Sequence, residues 1–175
     1  MKNIYLNIFS FNKNTLKKTL SYLKENEVIG IPTETVYGVA GNAYSKTSIE
    51  KIYRIKKRPK KNPLIVHYLN IKEADKDVIF NQDFLKLYKK FCPGPITFVL
   101  KKKAKTKIIK DLTANLKTVA IRFPDHKIIK LILGKINFPL AIPSANQSSG
   151  ISPVDAKDVS DEFGNKLKLI IDGGK

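Results

Sequence analysis

Tryptophan is absent, cysteine and methionine occur once each, and of 33 basic residues only Arg54, Arg58 and Arg122 are arginine. Each scarcity excludes something. With Cys92 as the only cysteine there is no intramolecular disulfide, which suits a reducing compartment and predicts a cytoplasmic protein. One cysteine and two histidines cannot build a Cys/His zinc site, and no metal held by side chains is expected. No apolar run approaches the roughly 20 residues that cross a bilayer. The opening Met1-Lys2-Asn3-Ile4-Tyr5 runs into Asn- and Lys-containing sequence and not into a signal-peptide core, so no membrane partner is expected. The Gly-x-x-x-x-Gly-Lys-Ser/Thr motif of P-loop nucleotide sites and the Gly-x-Ser-x-Gly nucleophile elbow are both missing. His67 and His126 have no evident nucleophile partner, and Cys92, between Phe91 and Pro93, reads as packing.

What is present is a chain of one-domain size. Its 175 residues suffice for a hydrophobic core, and the 42% hydrophobic fraction excludes a disordered tail. No repeat, low-complexity tract or Gly/Ser linker divides it, so residues 1–175 read as a single domain. The formal net charge of +18 suits a partner that carries phosphate. It equally suits codon bias, because Lys, Asn and Ile are abundant together, as AT-rich coding sequence produces. Against that background the arginines stand out. Where lysine serves, this chain uses lysine, so Arg58 and Arg122 point to positions that need a planar, two-pronged guanidinium.

Leu16, Leu20 and Leu23 recur at helical spacing and predict an amphipathic first helix. Val28–Ile31, closed by Pro32, reads as a buried strand. Thr47-Ser48-Ile49-Glu50 reads as a capping box opening a second helix, with Ile49, Ile52 and Tyr53 on its buried face and Pro59 ending it. Further strands are expected at Leu64–Tyr68, Ile96–Lys101, Val119–Phe123, Leu140–Ile142 and Leu169–Ile171, with helices at Phe84–Phe91, His126–Leu133 and Ala156–Asp161. Strands interleaved with helices predict an α/β sheet covered by helices and mixed in direction.

Polar clusters follow several of these strands, where open α/β sheets place ligand crevices. Thr33 and Thr35, in Pro32-Thr33-Glu34-Thr35-Val36-Tyr37-Gly38, either serve a ligand or cap a helix. Lys56 lies seven residues after Ile49 on the buried helix face, so it either snorkels to solvent or enters a cleft. Arg58 precedes Pro59, which biases it to extended backbone and throws it off the helix axis. Two cations at a helix end suit a polyphosphate, or merely complement the helix dipole. Pro93-Gly94-Pro95 reads as a structural turn. Arg122 sits inside the apolar strand Val119–Phe123, which is costly without an anion, supplied either by a ligand or by Asp125. Ser144 and Asn146, in Pro143-Ser144-Ala145-Asn146, with Ser148, Ser149 and Ser152 beyond, offer small groups for ribose, phosphate or backbone.

Taken in order, these segments resemble the YrdC/TsaC family. The matching pieces are Ile31-Pro32-Thr33-Glu34-Thr35-Val36-Tyr37-Gly38, Lys56-x-Arg58-Pro59-x-x-Asn62-Pro63-Leu64-Ile65-Val66-His67, Pro93-Gly94-Pro95-x-Thr97, Val119-Ala120-x-Arg122-x-Pro124, Ser144-Ala145-Asn146 and Asp172-Gly173-Gly174. The paired Lys-x-Arg and Ser-x-Asn are the family's signature. The resemblance implies a twisted, open mixed sheet flanked by helices, with a basic concave cleft. It also implies a nucleotidyltransferase, an L-threonylcarbamoyladenylate synthase. Such an enzyme makes threonylcarbamoyl-AMP and pyrophosphate from L-threonine, bicarbonate and ATP, for threonylcarbamoyladenosine at tRNA position 37.

By that resemblance Thr33, His67, Arg122 and the backbone near Ile142 hold threonine, with Arg122 on its carboxylate. Lys56, Arg58, Asn62, Thr118, Ser144, Asn146 and Ser152 line the ATP side, and Lys56, Arg58, Ser144 and Asn146 form the catalytic set. Mg2+ is implied with the phosphates, although the sequence shows no obvious carboxylate pair for it. The implied partners are tRNA or double-stranded RNA and a downstream tRNA threonylcarbamoyl transferase. The competing expectation is a non-catalytic RNA-binding module of the same fold. Ser149 stands where the family commonly has glycine. The sequence stops at Asp172-Gly173-Gly174-Lys175, where relatives usually continue with a Ser-Thr-Val strand, so a domain shortened at its C-terminus is expected.

Overall fold

Short polar side chains open five of the helices in the computed structural model, which describes residues 5–148 and 150–174. Asn12 precedes α1 (Lys13–Lys24), Ser45 precedes α2 (Lys46–Lys56), Asn70 precedes α3 (Ile71–Ala74), Asn81 precedes α4 (Gln82–Phe91), and Asp155 precedes α6 (Ala156–Phe163). Each sits in extended backbone, and its side chain accepts a first-turn N–H that the helix cannot satisfy itself. α5 (Lys127–Leu133) starts after His126 without such a bond. The box at Thr47–Glu50 is therefore not the start of α2. Ser45 Oγ accepts from Ser48 N at 3.2 Å, while Ser48 Oγ is turned inward between Asn42 N (3.1 Å) and Asn26 O (3.3 Å). The substituted Ser149 lies outside the described residues.

The strands are β1 (Ile8–Ser10), β2 (Ile29–Ile31), β3 (Gly38–Asn42), β4 (Ile65–His67), β5 (Thr97–Lys101), β6 (Thr118–Arg122), β7 (Leu140–Ala141) and β8 (Ile170–Asp172). They form one sheet in the order β1-β8-β2-β3-β7-β4-β6-β5. The pairs β1·β8, β2·β8 and β4·β6 are parallel and the others antiparallel, so the expected mixed sheet is present. β1 and β3 are additions to the sequence reading. β3, Gly-Val-Ala-Gly-Asn, carries little hydrophobic pattern because neighbours crowd its two glycine positions. A Cβ on Gly41 would lie 3.0 Å from Ser48 Oγ and 3.1 Å from Val28 Cγ1.

Side-chain alternation divides the sheet into two faces. Val39, Val66, Ala141, Val119, Ile121 and Phe98 point to the side covered by α2, α4 and α6, where Ile49, Ile52, Phe84 and Phe163 complete the larger core. On the opposite side Ile29, Ile31, Ala40 and Leu140 pack under Leu23 of α1 and Ile129, Ile132 and Leu133 of α5. The same face continues onto β4, β6 and β5, where registry aligns His67 with Arg122 and Arg122 with Thr97. Here burial drops. Ala120 and Thr118 are half-buried, and Val99 is 67% exposed. One half of this face is core, and the other is an open shelf. No helix among the described residues is long and apolar enough to cross a membrane.

Candidate active site

The boundary between covered and open sheet is where the loops after β2, α2 and β7 converge. A cavity of about 260 Å³ lies there, and its lining includes Thr33, Arg58, His67, Arg122, Ile142 and Ser144. The close approach of β3 and β7 forms one wall. A Cβ on Gly38 would fall 2.3 Å from Ile142 Cγ2 and 3.0 Å from the Pro143 carbonyl oxygen. Glycine is therefore the only residue that lets the chain carrying Thr33–Tyr37 lie against the chain carrying Ser144.

Thr33 caps no helix. Its hydroxyl closes its own turn, donating to Val36 O at 2.6 Å and accepting from Thr35 N at 3.1 Å. His67 is buried, and burial, followed by the charge of Arg122, pushes its pKa down to about 3. It is therefore a neutral imidazole in the cavity wall, and its Nδ1 is buried without a hydrogen-bond partner among the described residues.

Arg122 already has an anion, and the anion is not Asp125. Glu34 Oε1 accepts from Arg122 Nε at 3.1 Å and Nη2 at 2.7 Å, and Nη2 also lies 3.3 Å from Thr35 Oγ1. Both side chains are mostly buried, at 12% and 14% exposure. Asp125 instead accepts from Lys130 at 3.1 Å. Glu34 Oε2 is buried with no hydrogen-bond partner among the described residues, so the pair is satisfied on one carboxylate oxygen only.

The Lys-x-Arg pair splits. Lys57 between them adopts a left-handed conformation (φ 49°), which ends α2 and reverses the chain's direction. Arg58 turns toward the cavity, steadied by bonds from Nε to Asn62 O (3.1 Å) and from Nη2 to Pro63 O (2.9 Å). Lys56 turns inward and is 1% exposed. Its Nζ donates to Ser144 O at 2.6 Å and also to Asn146 O. Burial, with a smaller contribution from Arg58, pushes its pKa down to about 8, opposed by Glu162.

Five of the expected residues do not line this cavity. Lys56 lies beneath it, and Asn62 is exposed, contributing its backbone carbonyl to Arg58. Thr118 sits two pleats along β6 from Arg122, on the open shelf. Asn146 is buried, its Nδ2 donating to Gln147 O (2.7 Å) and Gly150 O (2.8 Å). Ser152 borders a separate cavity of about 410 Å³ that also holds Asp158, Asp161 and Glu162. Glu34, the partner of Arg122, was not singled out by sequence reasoning, although it lies inside the Pro32–Gly38 motif. Among the described residues no group of three His, Cys, Asp or Glu is placed to hold a metal ion.

A family model described as telomere recombination, that of Sua5, YciO and YrdC, matches residues 21–175. The chain belongs to the Sua5/YciO/YrdC family. It is 39% identical over 166 residues to a threonylcarbamoyl-AMP synthase of Bacillus subtilis, covering 94% of this chain and 48% of that protein. It is 36% identical over 157 residues to one of Pyrococcus abyssi, covering 88% and 45%. A crystal structure of P. abyssi Sua5 complexed with L-threonine superposes with a TM-score of 0.89 at 34% identity, over 96% of this chain and 50% of that one. The Sua5/YciO/YrdC domain described here thus spans about half the length of these relatives.

Proposed function

We propose that this domain synthesises threonylcarbamoyl-AMP, and that the cavity between Arg122 and Arg58 is where threonine meets ATP. The reading is carried by one cavity whose lining includes Thr33, His67 and Arg122 together with Arg58 and Ser144. The similarity to threonylcarbamoyl-AMP synthases and to a threonine-bound Sua5 supports it. The cavity, at about 260 Å³, lies just below the roughly 300 Å³ at which small-molecule sites begin. It therefore takes the amino acid and the reacting phosphate, while the nucleoside lies outward over the shelf beside Thr118.

In this reading Arg122 gives threonine's carboxylate the guanidinium edge that Glu34 leaves, and neutral His67 bonds it without adding charge. Threonine's amine and bicarbonate form a carbamate with loss of water. A carbamate oxygen then bonds to the α-phosphorus of ATP, the bond from that phosphorus to the bridging oxygen breaks, and pyrophosphate leaves. The nucleophile is already anionic, so no side-chain base is required, and the protein's task is to orient reactants and offset charge. Arg58 stands where the departing phosphates accumulate charge. Magnesium would arrive with ATP. The residues lining the cavity include no carboxylate, so they do not fit a protein-held cation, and no step runs through one. The +18 charge suits contact with tRNA or double-stranded RNA, and the product would pass to a downstream tRNA threonylcarbamoyl transferase.

The test is pyrophosphate release with ATP, bicarbonate and each amino acid in turn, with the product identified by mass spectrometry. Release is expected with threonine alone, together with a threonylcarbamoyl-AMP mass. Release independent of threonine, or none, would reject the proposal.

A further inference from the structure

We infer that Lys56 is a positioning residue: its ammonium fastens the Ser144–Asn146 backbone from beneath and so sets the loop that faces the cleft, without touching the nucleotide. What the loop does for catalysis rests on the function proposed above. The fastening itself does not.

Three bonds tie the end of α2 to this loop. Lys56 Nζ donates to the carbonyl oxygens of Ser144 and Asn146, and Ser148 N donates back to Lys56 O at 3.0 Å. The last bond satisfies a terminal carbonyl that a helix cannot satisfy internally. Above the lysine the loop is closed by its own side chains. Ser144 Oγ donates to Asn146 Oδ1 at 2.5 Å, and Asn146 Nδ2 spans the carbonyls of Gln147 and Gly150. Ala145 N donates to Tyr37 O at 2.7 Å, so the same loop is pinned to the segment that carries Thr33 and Glu34.

A buried ammonium is tolerated only when its donors are used, and here two of them are. To reach a phosphate, Lys56 would have to abandon both carbonyls and leave a place in the fold where it is only 1% exposed. The left-handed Lys57 explains how one short motif serves two ends: it turns Lys56 under the loop and Arg58 into the cavity.

Three measurements test the assignment. The first uses the wild-type protein, labelled briefly with acetic anhydride and mapped by mass spectrometry, with and without ATP. Lys56 is expected to react at least about tenfold more slowly than the exposed Lys60 and Lys61, and equally slowly with ATP present, because its amine is occluded in the folded state. Labelling comparable to Lys60, with protection by ATP, would overturn the inference. The second compares wild type with Lys56→Met in the absence of nucleotide. Amide exchange at Ala145 and Ser148 is expected to accelerate by about tenfold or more while β2 and β3 stay protected. Unchanged exchange at those amides would overturn it. In pyrophosphate release, Lys56→Met combined with Asn146→Ala is expected to be no slower than the slower single variant, since both act through one loop. Costs that multiply would mean that Lys56 acts on the substrate directly. If Lys56→Met does not fold, the labelling decides. If the wild type releases no pyrophosphate, the synthase reading fails, while labelling and exchange still judge Lys56.

Discussion

At the scale of single residues, the Arg122–Glu34 pair separates binding from stability. Under the proposed function, removing Arg122 would withdraw a charge-assisted partner from threonine, and it would also strand a mostly buried carboxylate. Arg122→Ala is expected to raise the threonine KM about a hundredfold, on the order of the 1.5–3 kcal/mol carried by hydrogen bonds to charged groups. It should also lose about 3 kcal/mol of stability in urea unfolding. Adding Glu34→Gln should restore much of the stability and none of the threonine affinity. If affinity returned with stability, Arg122 would be a scaffold residue only. His67 yields a pH prediction. It titrates near 3 in the fold and near 6.5 when unfolded, so between those values the unfolded chain binds a proton that the folded one refuses. This contribution is intact above about pH 6.5 and is lost as pH falls toward 3, by at most roughly 1.4 kcal/mol per pH unit. Urea unfolding from pH 7 to 5 should be steeper in pH for wild type than for His67→Gln, and equal slopes would place the loss elsewhere. Arg122's need for an anion was legible from its apolar strand. The partner was not, because Asp125 lies three residues away and Glu34 lies 88. Likewise the helical spacing put Lys56 on a buried face, but only the fold shows that two loop carbonyls await it there.

Among the elements, those with strong periodicity were legible and those made of small residues were not. α1, α2, α4 and the strands around Val66, Ile121 and Ile170 declare themselves by apolar spacing. β3 does not, because its two glycines are selected by neighbours far away in sequence and not by strand propensity. β1, Ile8–Ser10 at the sheet edge, is only partly buried and so carries no fully buried apolar run to mark it. The element that escaped detection is the one that builds the cavity wall, so its glycine is the place to test it. Gly38→Ala drives a methyl toward Ile142 Cγ2 and Pro143 O, and Pro143 is fixed by its bond from Val39 N at 3.0 Å. Overpacking of this kind costs about 1–3 kcal/mol. A lower urea midpoint is expected together with a higher threonine KM, because Ile142 belongs to the wall. A variant with unchanged midpoint and KM would show that β3 moves aside freely and that the wall is not held by this contact.

The whole molecule is governed by two imbalances: a sheet face covered over only part of its width, and a charge of +18 from 33 basic and 15 acidic residues. The first was not legible, because a sequence shows which residues alternate along a strand but not where the covering helices stop. The second was, and it has a thermodynamic consequence independent of any ligand. Ion pairs on the surface, such as Lys46–Glu50 and Lys103–Asp75, involve exposed groups and are worth little each. Mutual repulsion among the excess lysines outweighs them; it opposes the compact state and is screened over about 10 Å at 0.1 M salt. Raising sodium chloride from about 0.02 M to 0.5 M shortens that distance to a few ångströms. Tm should therefore rise with sodium chloride, steeply at low salt and flattening as the Debye length falls below the spacing between lysines. Sodium sulfate at equal ionic strength, applied to wild type and to Arg58→Gln, separates general salt effects from anion capture: an extra gain shared by both proteins would be sulfate's general stabilisation, and one lost in the variant would mean that the cluster around Arg58 binds the anion. A Tm that fell with sodium chloride would mean that paired charges dominate and that the excess lysines sit too far apart to repel.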